Sequence, residues 1–192
     1  MFCPGGLQIP ITASGMVSHA PKLATGSNLA PQPSNLTYLH SLDLSNNYFH
    51  GQIPLEFGHL SLLNVIELPS NNLRVVHFHH SWAGDLPSSV ANLSGNLQQF
   101  CVANNLLTGT IPQGMKKFQN LISLSYENNS FTGELPSEIG AQHNQQQLVI
   151  YSNMLSGEIS YIFGNFTNLY ILAVGDNQFS VEFTQVLDNA RD

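Results

Sequence analysis

Apolar positions recur along this chain on a fixed spacing. Leu36, Leu39, Leu42 and Leu44 are separated by steps of three, three and two residues, and Phe49 follows. Leu42-Asp43-Leu44 alternates apolar and polar, the pattern of a short strand with one buried face. The same frame returns as Phe118, Leu121, Leu124, Tyr126 and Phe131, and again as Phe166, Leu169, Leu172, Val174 and Phe179. Each of six frames carries an asparagine three residues after its last strand position: Asn47, Asn71, Asn105, Asn129, Asn153 and Asn177. The gaps between them are 24, 34, 24, 24 and 24 residues. A period of this length predicts a solenoid, in which each coil gives one short strand to a continuous parallel sheet.

The asparagines have a physical task. Each turns the chain off its strand, where buried backbone groups need partners. An inward carboxamide has two donors and an acceptor, so one per coil predicts a structural ladder between neighbours. A second signature follows the turn: Gly51-Gln52-Ile53-Pro54, Gly109-Thr110-Ile111-Pro112 and Gly133-Glu134-Leu135-Pro136. Glycine allows close approach of the next coil, and proline ends backbone pairing on the outer side. Together with Asn-Leu-Ser/Thr openings, these motifs resemble the plant-specific leucine-rich repeats of receptor-like kinases, over roughly residues 34–180. Polygalacturonase-inhibiting proteins look similar.

The resemblance implies an α/β fold, a right-handed leucine-rich-repeat solenoid. Its parallel inner sheet of about six strands would be backed by short 3-10, helical or β segments on the convex side. It also implies an extracellular or plasma-membrane-exterior location. The implied function is non-catalytic recognition of a protein or peptide ligand in defence or developmental signalling, with a co-receptor ectodomain as a further partner. Alternatives are a soluble inhibitor of a secreted cell-wall hydrolase and a non-functional receptor remnant.

Several stretches break the frame. Residues 1–33 carry no repeat and are expected to be disordered, and the family's paired-cysteine cap is missing there. Residues 74–83 are an insertion, and a one-residue slip lies between Leu93 and Leu97. Gln142 and Gln145 stand where leucine is expected, so either they find backbone partners or that coil is loose. Residues 181–192 form a tail or a short capping helix, with Phe183, Val186, Leu187 and Ala190 on one face. No kinase motif and no apolar run of membrane-spanning length occurs in this sequence. These breaks lead to the expectation of a truncated and rearranged relative of a receptor.

Charge and chemistry narrow the function. Charged residues are 9% of the 192, the formal net charge is −7, and only Lys116 and Lys117 pair up as cations, which argues against nucleic acid. Nothing converges into a catalytic or cofactor site, so none is assigned. His77, His79 and His80 form a histidine-rich stretch without nearby cysteine or carboxylate, so no metal site is assigned. Cys3 and Cys101 are the two cysteines, and Cys101, at an outward strand position, is expected to be a free thiol.

The alternation defines the concave face. Its columns read Ser41, Val65, Gln99, Ser123, Gln147, Ile171; then Asp43, Glu67, Cys101, Ser125, Val149, Ala173; then Ser45, Pro69, Ala103, Glu127, Tyr151, Gly175. The candidate ligand-binding set is Asp43, Ser45, Glu67, Gln99, Ser123, Ser125, Glu127, Gln147, Tyr151, Tyr170 and Ile171, with the tyrosines as anchor points. Sequons at Asn35, Asn92 and Asn165 share one position on the coil, away from the inner strand. A glycan on the fourth, Asn128, would crowd the concave face.

Overall fold

A computed structural model of the chain describes residues 17–19, 38–51, 53, 55–74, 90, 93–159 and 166–180. The histidine-rich stretch, the sequons at Asn35, Asn92 and Asn165, and the C-terminal helix lie outside the described residues.

Strands β1 (Val17–His19) and β2 (Ser41–Asp43) open the inner sheet. The chain then alternates between inner and outer sides. Outer β3 (His50–Gly51) precedes inner β4 (Val65–Glu67), and outer β5 (Asn72–Leu73) precedes inner β6 (Gln99–Cys101). Outer β7 (Thr108–Thr110), inner β8 (Ser123–Ser125), outer β9 (Ser130–Glu134) and inner β10 (Gln147–Val149) follow. Outer β11 (Met154–Glu158), inner β12 (Ile171–Ala173) and outer β13 (Gln178–Ser180) complete the order. The inner sheet is parallel, in the order β1-β2-β4-β6-β8-β10-β12. The outer strands form a four-stranded sheet, β13-β11-β9-β7, and a β3-β5 pair. Short 3-10 turns at Leu55–His59, Met115–Lys117 and Ser137–Ile139 complete three of the coils.

The inner sheet has seven strands rather than about six. The extra strand, β1, comes from the stretch expected to be disordered. Its Ser18 pairs with Leu42, so a polar residue stands where the other inner strands carry an apolar one, and the apolar frame did not mark it. The insertion does not interrupt the inner sheet, whereas the outer strands divide there into the two groups. β4 pairs directly with β6, Ile66 opposite Phe100 and Glu67 opposite Cys101. On the outer side Arg74 bridges Leu106, so the first residue assigned to the insertion still belongs to the coil.

The apolar frame forms one core. Leu42, Ile66, Phe100, Leu124 and Leu148 stack on successive inner strands and are all buried. Leu172 has the same place on β12 but is 40% exposed, since no described coil lies beyond it. Tyr126 is fully buried between Phe100 and Phe131, with edge-on ring contacts at 5.6 and 5.3 Å. Gly157 has φ +87°, and a Cβ there would lie 2.6 Å from Glu134 Cγ in the preceding coil. Both the turn and the coil spacing therefore require glycine at that place.

The two frame glutamines are inside. Gln142 Nε2 donates to Met115 O at 3.2 Å and Gln145 Nε2 to Gln147 O at 3.3 Å. Both Oε1 atoms are buried without a partner. The coil is closed, with each carboxamide half satisfied.

Candidate functional site

Six asparagines hold the edge of the inner sheet. Asn105 Nδ2 donates to Val102 O and Ala103 O in its own coil, at 3.1 and 3.0 Å, and to Leu68 O in the preceding coil at 3.0 Å. Its Oδ1 accepts the Leu73 N–H at 3.0 Å. Asn71, Asn129, Asn153 and Asn177 repeat this pattern, reaching back to Leu44, Val102, Tyr126 and Ile150 and accepting from Phe49, Leu107, Phe131 and Leu155. Asn47 differs. It bonds only Leu44 O and Ser45 O of its own coil, and its buried Oδ1 has no partner.

The residue before each ladder asparagine has a left-handed backbone: Asn46, Ser70, Asn104, Asn128, Ser152 and Asp176, with φ between 52° and 56°. Short polar side chains tolerate this region best. This column was missed in the sequence, although its small polar residues recur in step with the ladder. Its side chains also link coils: Asn128 Nδ2 donates to Asn104 Oδ1 at 2.8 Å, and Ser152 Oγ to Asp176 Oδ2 at 3.2 Å.

Strand register brings the concave residues together as columns. Ser41, Val65, Gln99, Ser123, Gln147 and Ile171 are successive partners, as are Asp43, Glu67, Cys101, Ser125, Val149 and Ala173. At one end Asp43 Oδ1 accepts from the Ser45 backbone N–H and hydroxyl, at 2.9 and 2.6 Å. Glu67 lies beside Asp43, and burial, with the Asp43 charge second, raises its carboxyl pKa. This acidic end is thus separate from the tyrosines.

The tyrosine end is a hydrogen-bonded surface. Ser123 Oγ donates to Gln147 Oε1 at 3.3 Å, and Gln147 Nε2 donates to the Tyr170 hydroxyl at 2.8 Å. Tyr170 is 58% exposed, and Ile171 beside it is half-buried. Asn128 Nδ2 also reaches the Tyr151 hydroxyl at 3.4 Å. Both hydroxyl oxygens accept, which leaves each O–H to donate outward. Asn128 Nδ2 is the atom a glycan would be attached to; glycosylation replaces one of its two hydrogens, so at least one of its two bonds would be lost.

The centre of the face is covered. Ser125 is 1% exposed and Glu127 is 0% exposed. The Ser125 hydroxyl donates to Glu127 Oε2, whereas Glu127 Oε1 is buried without a partner. Burial raises the Glu127 carboxyl pKa; the Ser125 bond and a backbone hydrogen bond oppose that rise. Cys101 is not the free thiol expected from its position. It is buried and disulfide-bonded. An outward direction on the strand did not mean contact with solvent.

Among the described residues, no helix is long and apolar enough to cross a membrane. The Leucine Rich Repeat family model matches residues 38–60 and 120–141. Receptor-like protein 7 of Arabidopsis thaliana is 41% identical over 110 residues, covering 51% of this chain and 11% of the relative. The chain thus spans roughly a tenth of such curated relatives. Among solved structures, the plant peptide hormone receptor RGFR1 in complex with RGF2 is 35% identical with a TM-score of 0.67, covering 75% of this chain and 22% of that one. The Arabidopsis receptor kinase HAESA, in complex with the peptide hormone IDA and the co-receptor SERK1, is 28% identical with a TM-score of 0.58, covering 76% of this chain and 26% of that one. The repeats and the two-sided solenoid make this chain a leucine-rich-repeat solenoid, similar in sequence and in fold to segments of plant receptor ectodomains.

Proposed function

We propose that the chain is a non-catalytic recognition module that binds an extended peptide along the concave face, outside the plasma membrane. The observation that carries this reading is the surface formed by Ser123, Gln147, Tyr151, Tyr170 and Ile171. It offers two oriented tyrosine hydroxyls beside an accessible apolar side chain. Such a surface can donate to backbone carbonyls of an extended ligand while an apolar side chain rests on Ile171 and the tyrosine rings. Asp43, Ser45 and Glu67 form an acidic end suited to a cationic residue of the ligand, with Gln99 between the two ends; Ser125 and Glu127, although on the same face, are buried and take no part in the contact surface. The peptide complexes of the similar receptors support a peptide as ligand, and the HAESA complex supports a co-receptor ectodomain as second partner.

The test is a binding screen of the secreted, folded chain against an array of plant secreted peptides and against immobilised co-receptor ectodomains. A peptide hit should weaken by about 1–2 kcal/mol, roughly 5–30-fold in Kd, in Tyr151→Ala and in Tyr170→Ala. A hit unaffected by both substitutions, or no binding to either class, would overturn the reading.

A further inference from the structure

The sequon that falls among the described residues, Asn128-Asn129-Ser130, lies on the turn between β8 and β9. Asn128 belongs to the left-handed column, with φ 53°. Its Nδ2 lies 2.8 Å from Asn104 Oδ1 and 3.4 Å from the Tyr151 hydroxyl. Its backbone N–H also donates to Tyr151 O, at 3.1 Å. Main chain and side chain together thus hold the acceptor nitrogen of the sequon beside the tyrosine. Both residues are half-buried, so neither is sealed from solvent. The arrangement is particular to this coil. In the other five frames the place of Ser130 is taken by Tyr48, Asn72, Leu106, Met154 and Gln178, none of which has the hydroxyl that a sequon requires.

Attachment and folding compete for the same atoms. In the folded coil Asn128 Nδ2 has two partners, and Asn129 Nδ2 donates to Val102 O, Tyr126 O and Glu127 O. Asn129 Oδ1 accepts the Leu107 N–H, and the Ser130 N–H donates to Leu107 O. Drawing the sequon out to an enzyme would break all of these bonds, so a sugar is added before the coil closes. The fold can then still form. One Nδ2 hydrogen remains, and a single hydrogen bond at a half-buried site contributes little net stability.

We propose that Asn128 is glycosylated before its coil folds and that the glycan shields Tyr151, so that occupancy of this one sequon decides whether the tyrosine end of the concave face is open. The effect on a ligand rests on the recognition reading; the shielding does not. In the attachment step the anomeric carbon of a lipid-pyrophosphate-linked oligosaccharide bonds to Nδ2. The bond from that carbon to the pyrophosphate oxygen breaks, the lipid pyrophosphate leaves, and Nδ2 gives up one proton. The first sugar then starts one bond away from an atom 3.4 Å from the Tyr151 hydroxyl. It stands beside the hydroxyl that would otherwise donate to a ligand.

The test uses the full chain secreted from a eukaryotic host. Peptide N-glycanase in heavy-oxygen water converts each glycosylated asparagine to a mass-tagged aspartate, which reads occupancy at Asn128. Hydroxyl-radical footprinting then compares Tyr151 with Tyr170, the 58% exposed internal reference. Ser130→Ala deletes the sequon and keeps Asn128 with both of its bonds. The expected result is an occupied Asn128 and a Tyr151-to-Tyr170 labelling ratio about threefold lower in the glycosylated chain than in Ser130→Ala. Should Ser130→Ala fail to fold, Asn128→Asp takes its place, since Asp176 occupies the same left-handed column. An unmodified Asn128, or equal ratios in the two proteins, would overturn the proposal. In the array of secreted peptides, a hit of Ser130→Ala should bind the glycosylated chain about tenfold more weakly, and equal binding would overturn the gating. No hit for either protein, with Asn128 occupied and Tyr151 shielded, would count against the recognition reading alone.

Discussion

Replacing Asn105 with alanine should destabilise the solenoid far more than replacing Asn47, although the two occupy the same place in the repeat. Asn105 makes four hydrogen bonds, two of them across coils: to Leu68 O and from the Leu73 N–H. Asn47 makes two, both within its own coil. The substitutions share the loss of own-coil bonds, so the cross-coil pair sets the difference. One lost bond costs about 1 kcal/mol, and the buried Leu73 N–H left without an acceptor costs about 1–3 kcal/mol more. Asn105→Ala should therefore exceed Asn47→Ala by about 2–4 kcal/mol. Removing the unpartnered Asn47 Oδ1 even relieves a small existing penalty. Urea unfolding followed by circular dichroism measures the contrast, and at ordinary m-values the midpoints should differ by about 1 M or more. Should Asn105→Ala be too unstable to purify while Asn47→Ala folds, the order of effects would still hold. Equal midpoints would refute the reasoning, because they would mean that cross-coil bonds contribute nothing beyond the turn itself.

The remaining predictions concern two buried polar groups. Gln145→Leu should raise stability by about 1–2 kcal/mol, since it removes a buried unpartnered Oε1 and restores an apolar side chain to the frame; a lower urea midpoint than wild type would contradict this. Glu127 has a folded-state pKa raised above 4.5, so the folded chain holds its proton more tightly than the unfolded chain. Stability from this group is present at low pH and is lost as pH rises from 4.5 through the raised value. Melting temperatures between pH 4 and 8 should thus fall less steeply in Glu127→Gln, whose carbonyl can still accept from Ser125, and parallel profiles for the two proteins would sink the idea.

How much of this protein could be read in advance depends on the range of the interaction involved. The spacing of Leu39, Leu42, Leu44 and Asn47 is local, and a solenoid repeats local geometry, so the period alone set the strands, the core and the concave columns. The sequence could carry the register across the 34-residue gap because the frame resumes intact at Leu97, Phe100 and Val102. Tertiary structure decided the rest. β1 joins the sheet through backbone bonds that need no apolar pattern, which is why Val17–His19 was invisible. The left-handed column shows itself only when φ is known, since serine, asparagine and aspartate there read as ordinary surface residues. Alternation told which way Cys101 and Glu127 point, but burial depends on what lies above them. Burial of that kind is a tertiary quantity, and a repeat that records only nearest-neighbour packing holds no trace of it.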